Sequence, residues 1–453
     1  MRISGMNGKV APKECHIMDK SKSGKQVVVV VGGGIAGLEM VTALGRKWSG
    51  KRDAPSVMLI DSDSAHVWKP MLHTIAAGTR DISQQQTPYL AQAREAGFEY
   101  QPGEMCGLDR EAHEIELAPL LAPDGRLLVP ARKISYDCLI LAVGSEANDF
   151  GTPGVAEHCL RIDSRRQADA FNREVRIRML QCLAQDQELS IAIVGGGATG
   201  VELAAELVRL TETAETYGAK TLASRISITL IESGDRLLAA FPQDISAATR
   251  ERLESLGVKV MTGARVTGAT QEGLTLADGA QIDASMTVWA AGVKAPQFLS
   301  GLAGLECSRN NQIVVQPSLQ TRQDPAIFAI GDCASLTLPG AERPLPPTAQ
   351  VAHQQAQHLI GNLPGFLLND RPIPDFRYRD FGSLVSLADY DAYGSLGKFG
   401  LFRGGTIRGR LAQLSHAMLY RGHQARLYGF WRGGLVWLVD RLNTRLNASI
   451  RLD

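Results

Sequence analysis

Beyond residue 24 the chain alternates between short, continuous apolar runs and longer amphipathic segments. Residues 27–31 are five consecutive valines, and residues 189–194 and 226–231 are similar runs rich in β-branched residues. Runs of this length without polar alternation are typical of strands buried on both faces of a parallel sheet. The segments 38–44 and 201–207 carry the spacing of helices. This alternation of strand and helix predicts an α/β fold with parallel sheets.

A glycine-rich turn joins the first strand to the first helix. Gly32, Gly34 and Gly37 form the pattern GxGxxG, and the next strand ends in Asp61. The first glycine makes the turn, the second lets backbone approach a pyrophosphate, and the third lets the helix pack closely on the strand. The unpaired N–H groups of the helix would bind the pyrophosphate, and Asp61 would accept from ribose hydroxyls. The segment predicts a dinucleotide site.

The same pattern recurs near the middle of the chain. Gly195, Gly197 and Gly200 follow a second buried strand, and the strand after the next helix ends in Glu232. The gap between Gly200 and Glu232 exceeds the usual ~20 residues, which indicates a longer helix and loop. Glu232 would bind a ribose 2′-hydroxyl and repel a 2′-phosphate, so NADH is favoured over NADPH.

A third signal indicates which dinucleotide lies where. Residues 321–332 predict a short apolar strand that ends in Gly331 and Asp332. In flavoproteins with two dinucleotide sites this strand returns to the first domain, and its aspartate binds the ribityl chain of FAD. The strands that end at Gly144 and Gly292 resemble those where the chain passes between the two domains. We therefore predict two Rossmann-like domains, with the FAD domain split around an inserted NADH domain.

With these motifs the chain resembles the bacterial type II NADH dehydrogenases, which are single-subunit flavoproteins that pass electrons from NADH to quinone. The resemblance extends end to end from about residue 25. The motifs that carry it are HVWKPMLH at 66–73, GGGATGVE at 195–202, WAAGVKAP at 289–296, FAIGDCA at 328–334 and AQVAHQ at 349–354. The last matches AQxAxQ, a quinone motif and the most specific of the set.

The resemblance implies the reaction and its cofactors. Hydride would pass from NADH to a non-covalent FAD, and a membrane quinone would then be reduced by two electrons to quinol, without proton pumping. The residues that it assigns to FAD are Gly32, Gly34, Ala36, Gly37, Asp61, Lys69, Gly144, Gly331, Asp332, Ala349 and Gln350. Those that it assigns to NADH are Gly195, Gly197, Thr199, Gly200, Glu202, Glu232, Ala291 and Gly292. No metal site is predicted.

The AQxAxQ segment itself is chemically suited to a quinone. The prolines at 346 and 347 predict a helix start, since proline is tolerated in the first turn. Gln350 and Gln354 lie four positions apart and share one helix face. Two neutral amides can bind a quinone carbonyl without bringing charge into an apolar pocket. A solvated glutamine face is the structural alternative. Tyr390 and Tyr393 are predicted at the mouth of the quinone pocket.

Glu202 is the third predicted catalytic residue, beside Gln350 and Gln354. The resemblance places it by the flavin, where it would touch nicotinamide and relay protons to quinone. The alternative is structural, because the first turn of any helix favours a carboxylate. Lys69 and His73 are expected to shape the FAD site.

The charge of the chain is distributed unevenly between its two parts. The net charge is +1, but residues 403–453 contain nine arginines and two aspartates, a net +7 that leaves −6 on the remainder. Apolar and aromatic residues alternate with these arginines without a run long enough to span a bilayer. We predict that this tail lies on an anionic membrane surface. The alternative is a helix packed on its own protein with a basic outer face.

The remaining composition is that of an ordinary globular protein, with 44% hydrophobic and 21% charged residues. A near-neutral chain argues against nucleic acid as a partner. The seven cysteines include no close pair, which disfavours a sulfide:quinone oxidoreductase. A soluble reductase of ferredoxin or rubredoxin would leave the AQxAxQ helix and the tail unused, and a non-catalytic NADH sensor would turn over no acceptor.

These patterns divide the chain into consecutive parts. We predict a disordered leader at 1–24, an FAD domain at 25–150 and 296–375, an NADH domain at 151–295 and a membrane-associating domain at 376–453. The resemblance implies a peripheral protein on the cytoplasmic face of the bacterial inner (plasma) membrane, and a possible homodimer. The sequence leaves ubiquinone and menaquinone equally open.

Overall fold

The computed structural model describes residues 25–80, 86–122, 124–216, 219, 221–399 and 402–446. The predicted leader at 1–24 lies outside the described residues. The helices are α1 Ile35–Trp48, α2 Leu72–Ala76, α3 Tyr89–Ala96, α4 Val155–His158, α5 Arg165–Gln185, α6 Ala198–Thr216, α7 Gln243–Ser255, α8 Ala349–Asn369, α9 Arg410–Tyr428 and α10 Phe430–Leu446.

The strands are short, and most belong to small sheets. They are β1 Val27–Val31, β2 Ser56–Asp61, β3 Ala65–Val67, β4 Gln86–Pro88, β5 Glu99–Pro102, β6 Met105–Asp109, β7 Glu114–Leu117, β8 Leu120–Leu121, β9 Leu127–Val129, β10 Arg132–Ser135, β11 Cys138–Leu141, β12 Leu189–Val194, β13 Ile226–Ile231, β14 Lys259–Met261, β15 Val266–Ala269, β16 Gly273–Leu276, β17 Gln281–Asp283, β18 Met286–Trp289, β19 Ile313–Val314, β20 Ile327–Ala329, β21 Ala334–Ser335, β22 Gly382–Leu387, β23 Asp391–Phe399 and β24 Phe402–Arg408.

The first sheet has the strand order β20-β11-β1-β2-β5, and its pairings are parallel. Strand β1 lies at its centre, and its last four valines are almost fully buried, because both faces of the sheet are covered. Helices α1 and α8 pack against each other beside it. Since β20 comes from much later in the chain than β11, the first domain is split in sequence, as predicted.

The second sheet has the order β14-β13-β12-β18 and is also parallel. All of its strands lie in sequence between β11 and β20, which confirms that this domain is inserted into the first. Helix α6 runs for 19 residues before β13. This length accounts for much of the long gap between the second glycine turn and its acid.

The C-terminal part begins with an antiparallel sheet, β22-β23-β24, which the sequence did not predict. Helix α9 then packs on α1 and on this sheet, and its Ala412 and Leu427 are buried. By contrast, Trp431 of α10 is 83% exposed. Among the described residues, no helix has both the length and the apolarity to cross a bilayer.

Candidate functional site

The two glycine-rich turns have the same local geometry. Gly32 has φ of 102° and Gly195 has φ of 115°, in the region that favours glycine. A Cβ on Gly37 would lie 1.8 Å from the carbonyl oxygen of Gly32, and one on Gly200 would lie 2.0 Å from that of Gly195. The third glycine of each motif is therefore required for the helix to close onto its turn.

An acidic residue braces each turn from the end of the neighbouring strand. The Gly33 N–H donates to Asp61 Oδ2 at 2.6 Å, and the Gly196 N–H donates to Glu232 Oε2 at 2.7 Å. Burial raises the pKa of the Asp61 carboxyl, although backbone hydrogen bonds oppose the shift. Both acids thus hold a turn in addition to the ribose contact expected of them, and the sequence motif alone did not reveal this second role.

The space in front of each turn suits a pyrophosphate. Among the described residues, apart from the adjoining residues of the chain, no atom lies within 4 Å of a Cβ built on Gly34 or Gly197. The first-turn N–H groups of α1 and α6, which include Ala36 and Thr199, have no partner within their own helix. Open space beside unpaired amides at a helix N-terminus is a typical anion site. The residues present therefore fit two dinucleotides.

A polar cluster forms where β20 ends, at the predicted ribityl site. The Ser145 hydroxyl donates to Asp332 Oδ2 at 2.7 Å, and Lys69 Nζ donates to the Ser145 backbone oxygen at 2.6 Å. The neighbouring Gly331 N–H donates to Gln355 Oε1 at 2.6 Å, and Gln355 is buried. The structure thus brings Lys69 and Asp332 together and adds Ser145 and Gln355, which sequence reasoning missed. Gln355 lies next to the AQxAxQ motif, which was the available signal.

Glu202 lies where three parts of the fold meet. It belongs to α6, and its Oε1 accepts the backbone N–H of Ser386 in β22 at 3.0 Å. Its Oε2 lies 3.3 Å from Nδ1 of the buried His73 in α2. Burial raises the pKa of the Glu202 carboxyl to about 8, the Ser386 N–H opposes this shift, and Glu206 adds to it. At neutral pH Glu202 is mainly protonated, so it holds a proton that it can donate. His73 is thus a partner of Glu202 as well as a neighbour of the predicted FAD residues.

The two predicted quinone glutamines bind one extended segment. Gln350 Nε2 donates to the Tyr378 hydroxyl at 2.7 Å, and Gln350 Oε1 accepts the Phe381 N–H at 2.9 Å. Gln354 exchanges hydrogen bonds with the backbone of Arg379 at 2.8 and 3.0 Å. They share a face, as predicted, and this face holds the segment 378–381. Tyr378 was missed because its segment carries no motif.

The start of α8 differs slightly from the prediction. The helix begins at Ala349, and Thr348 caps it by accepting the Val351 N–H. The prolines at 346 and 347 precede the cap, so they lie outside the first turn. Threonine satisfies an N–H that would otherwise be unpaired.

Tyr390 and Tyr393 lie on the side of the NADH domain. The Tyr390 hydroxyl donates to Glu212 near the end of α6. Tyr393 is buried in the same apolar cluster as Val385 and Leu387. The quinone role of the two tyrosines stays a prediction.

The remaining predicted residues fall beside the turns. Gly144 has φ of 74° and Gly292 has φ of 65°, and Ala291 is half-buried. His353 lies between the two glutamines in sequence, and its Nδ1 is 2.6 Å from Oε2 of Glu39. Glu39 was not predicted as a site residue, although it occupies the same position after its third glycine as Glu202 does after Gly200.

Comparisons with known proteins agree with this geometry. Residues 26–356 match the family described as pyridine nucleotide-disulphide oxidoreductase. A type II NADH:quinone oxidoreductase of Haemophilus influenzae is 41% identical over 444 residues, which are 94% of this chain and 99% of the relative. One of Staphylococcus saprophyticus is 28% identical over 82% of this chain and 89% of its own. The solved NDH2 of Plasmodium falciparum in complex with NADH superposes with a TM-score of 0.78 at 20% identity, over 94% of this chain and 100% of that one.

Proposed function

Since this chain belongs to the type II NADH:quinone oxidoreductases of the pyridine nucleotide-disulphide oxidoreductase family, we propose that it is a respiratory enzyme. It oxidises NADH and reduces a membrane quinone to quinol through FAD, without pumping protons. The observation that carries this proposal is the pair of equivalent glycine turns in two sheets, each braced by an acid. Family membership decides against the rival functions, which were a sulfide:quinone oxidoreductase, a soluble reductase of ferredoxin or rubredoxin and a non-catalytic NADH sensor.

FAD belongs in the proposed first domain, residues 25–150 and 296–375. The turn at Gly32, Gly34 and Gly37 would hold its pyrophosphate, and Asp332 with Lys69 would hold its ribityl chain and ring edge. When bound, the flavin supplies the two-electron chemistry that links a hydride donor to a quinone. The chain's own residues orient the two substrates on it.

NADH belongs at the second turn. The half-buried Glu232 carboxylate lies at the end of β13, where an acid accepts from a ribose 2′-hydroxyl. The same negative charge disfavours the 2′-phosphate of NADPH. Thr199, Ala291 and Gly292 are the other residues that we propose for the NADH site.

Glu202 and His73 form a pair that can hold and donate a proton near the proposed flavin site. The protonated Glu202 carboxyl lies 3.3 Å from His73 Nδ1, a distance over which a proton can be shared. Quinone reduction consumes two protons, and a carboxyl with a pKa of about 8 can supply one and recover it at neutral pH. We assign Glu202 the role of this donor.

Quinone binds at the N-terminal part of α8 in this proposal. Gln350 and Gln354 hold the segment 378–381 through side-chain amides, so both the helix and the segment can line a pocket. Neutral amides suit a carbonyl acceptor in such a site. Tyr390 and Tyr393 stay proposed residues of the pocket mouth.

The C-terminal helices would dock the protein on the membrane. Among the described residues, the large exposed apolar side chains of α9 and α10 are Leu411, Leu414, Met418, Leu419, Phe430, Trp431, Leu435, Trp437, Leu438, Val439 and Leu442. Exposed apolar side chains among arginines suit an interfacial position on anionic lipid. We place the protein on the cytoplasmic face of the bacterial inner membrane. The homodimer that the family resemblance implies is proposed on that basis alone, and sedimentation of the purified protein tests it.

Stopped-flow absorbance tests the catalytic proposal. NADH should bleach the flavin of the purified protein, and a short-chain quinone should then restore the oxidised spectrum. NADPH should bleach the flavin much more slowly than NADH. Reduced flavin that no quinone reoxidises would refute the assignment.

A further inference from the structure

Glu39 connects three helices in the interior of the first domain. It lies on α1, just after the first glycine turn, and is 3% exposed. Its Oε1 faces His423 Nδ1 at 2.8 Å and Arg426 Nε at 2.9 Å, both on α9. Its Oε2 faces His353 Nδ1 at 2.6 Å and Gln357 Nε2 at 3.3 Å, both on α8. Burial raises its pKa, but the hydrogen bonds from the two histidines outweigh burial, and the pKa falls well below its usual range. Glu39 is therefore an ionised acceptor.

The hydrogen bonds beyond Glu39 define a protonation state. His423 Nε2 lies 3.0 Å from His66 Nε2, and His66 Nδ1 lies 2.9 Å from the carbonyl oxygen of Gly33. A carbonyl and a carboxylate only accept, so the nitrogen facing each of them carries a proton. One further proton must lie between the two Nε2 atoms. Three protons on four ring nitrogens give the histidine pair one positive charge.

The positive charge belongs on His423. Burial lowers the pKa of His66 to about 3, and the charge of His423 adds to this shift. His66 is therefore neutral, with a donor toward Gly33 and an acceptor toward His423. A buried imidazolium beside the ionised Glu39 is the arrangement that leaves every polar atom of this chain of contacts satisfied.

The chain of hydrogen bonds ends on the phosphate-binding turn. The carbonyl of Gly33 and the N–H of Gly34 belong to one peptide unit, and a donor on the carbonyl strengthens the N–H as a donor. The Tyr89 hydroxyl also donates to Gly33 O at 3.0 Å. A Cβ built on Gly34 would meet open space, so a phosphate can approach its N–H. The imidazolium of His423 on α9 therefore polarises His66, and His66 in turn strengthens the Gly34 N–H as a donor to the proposed pyrophosphate.

Helix α9 is fixed to the body at the same place. Arg46 of α1 donates to the carbonyl oxygens of Arg426 and Leu427. Gln92 of α3 donates to the Leu427 carbonyl oxygen at 2.8 Å. These carbonyls lie in the last turn of α9, where the helix itself leaves them unpaired. These contacts to Arg46 and Gln92, together with those to Glu39, are the seat of α9. They are made by residues of the proposed FAD domain.

We propose that His423 and His66 are positioning residues for the FAD pyrophosphate, and that helix α9 must be packed in its native position for the flavin to bind tightly. This inference rests on the proposed function, in that FAD is the anion of the first turn. It predicts reciprocity, because two coupled equilibria stabilise each other equally. FAD should therefore hold α9 in its seat, and α9 should hold FAD.

Matched substitutions at position 66 test the coupling. His66→Leu removes both hydrogen bonds, whereas His66→Gln retains one donor and one acceptor. FAD titration of the apoprotein, followed by fluorescence quenching, should give a Kd about tenfold higher for His66→Leu, and His66→Gln should recover most of the loss. His358→Leu is the control, since His358 lies in the middle of α8 and bonds the carbonyl of Pro374, beyond the end of the helix, at 2.8 Å.

Hydrogen exchange and NMR give readouts that a purely structural role would not change. FAD should slow amide exchange in α9 of the unmodified protein, and this effect should shrink in His66→Leu. Nitrogen-15 spectra of labelled histidine should show one doubly protonated buried ring and one neutral ring. The inference would be overturned if the two His66 variants had equal Kd values for FAD. It would also be overturned if FAD did not change amide exchange in α9, or if both histidine rings were neutral. A protein that takes up no FAD would instead refute the proposed function.

Discussion

At the scale of single residues, two glutamates in equivalent positions have opposite charge states. Glu39 and Glu202 each follow the third glycine of their motif by two residues. Glu39 accepts from two histidines, an arginine and a glutamine, and stays ionised. Glu202 accepts one backbone N–H, and burial keeps it protonated up to a pKa of about 8. The number of donors at a buried carboxyl decides its charge.

Glu202→Gln should change how stability depends on pH. In the native protein the pKa of Glu202 is raised from 4.5 to about 8, so between these values the unfolded chain has lost a proton that the folded chain keeps. The folded state therefore loses stability as pH rises toward 8. The variant should avoid this loss and exceed the unmodified protein by roughly 2 kcal/mol or more near pH 8. Thermal unfolding from about pH 5 to 9 measures it.

A neutralised but exposed carboxylate serves as the control for this prediction. Glu254→Gln removes a charge from the surface pair with Arg250. Its melting temperature should vary with pH in the same way as that of the unmodified protein. If the melting temperature of Glu202→Gln also varied with pH like that of the unmodified protein, Glu202 would be ionised in the folded state. Its role as a proton donor would then be abandoned.

Glu232→Gln should weaken the preference for NADH. The carboxylate repels a 2′-phosphate, and the amide does not, while it keeps an oxygen that can accept the Gly196 N–H. The ratio of kcat/KM for NADPH to that for NADH should rise about tenfold. Steady-state rates with both coenzymes measure it, and Asp235→Asn, an exposed acid nearby, should leave the ratio within about twofold. An unchanged ratio in Glu232→Gln would exclude this residue as the selectivity determinant.

At the scale of elements, α8 serves three different neighbours with its successive side chains. Gln350 and Gln354 bind the segment 378–381, whereas Gln355 binds the flavin-side backbone at Gly331 and His353 binds Glu39. A helix presents a new direction every 100° or so, so adjacent residues reach different partners. One helix therefore links the proposed quinone pocket, the ribityl site and the seat of α9.

Removing the amides of α8 should separate the two half-reactions. In Gln350→Ala and Gln354→Ala the segment 378–381 loses two hydrogen bonds per variant, each of about 1 kcal/mol, and the pocket loses a neutral donor. Reoxidation of reduced flavin by quinone should slow by about tenfold or more, while reduction by NADH is unchanged. Stopped-flow absorbance follows both steps.

Asn362→Ala is the matched control on the same helix, since within the described part of the chain its amide bonds only the carbonyl of His358 one turn earlier. It should leave both half-reactions unchanged. Slower reduction by NADH in the glutamine variants would mean that these residues shape the flavin site, and a quinone role would then lack support.

At the scale of the whole molecule, the C-terminal region has two distinct parts. Helix α9 buries His423, Gln424 and Leu427 against the body, so it is part of the fold. Helix α10 follows Gly429, which has φ of 82°, and exposes Phe430 and Trp431. The charge is uneven, +7 from residue 403 onward and −6 before it, which supports the proposal that this end faces an anionic surface.

A chain that ends at Gly429 should separate docking from folding. It keeps α9 and its buried contacts, so it should retain FAD and reduce a short-chain quinone. Without α10 it should bind vesicles of phosphatidylglycerol and phosphatidylethanolamine at least tenfold more weakly than the full chain. Cosedimentation measures binding, and added salt should weaken the full chain further.

A chain that ends at Gly409 lacks α9 as well as α10, so its comparison with the chain that ends at Gly429 isolates the effect of α9. It should lose flavin as well as membrane binding, because Glu39 would lose two of its donors and His66 would lose the ring that it faces. If the chain ending at Gly429 still pelleted with vesicles as the full chain does, α10 would not be the docking element.

Local patterns of glycine, apolar residues and strand-end acids were sufficient to predict the two nucleotide turns, the split first domain and the family. The amino-acid sequence also indicated the α8 glutamines and the charged tail. The charges of Glu39 and Glu202 depend instead on the tertiary structure, since two of the donors to Glu39 lie 314 and 384 positions away in the chain. The tertiary structure also decided that α9 is part of the body, because burial and hydrogen bonding depend on which distant segments meet.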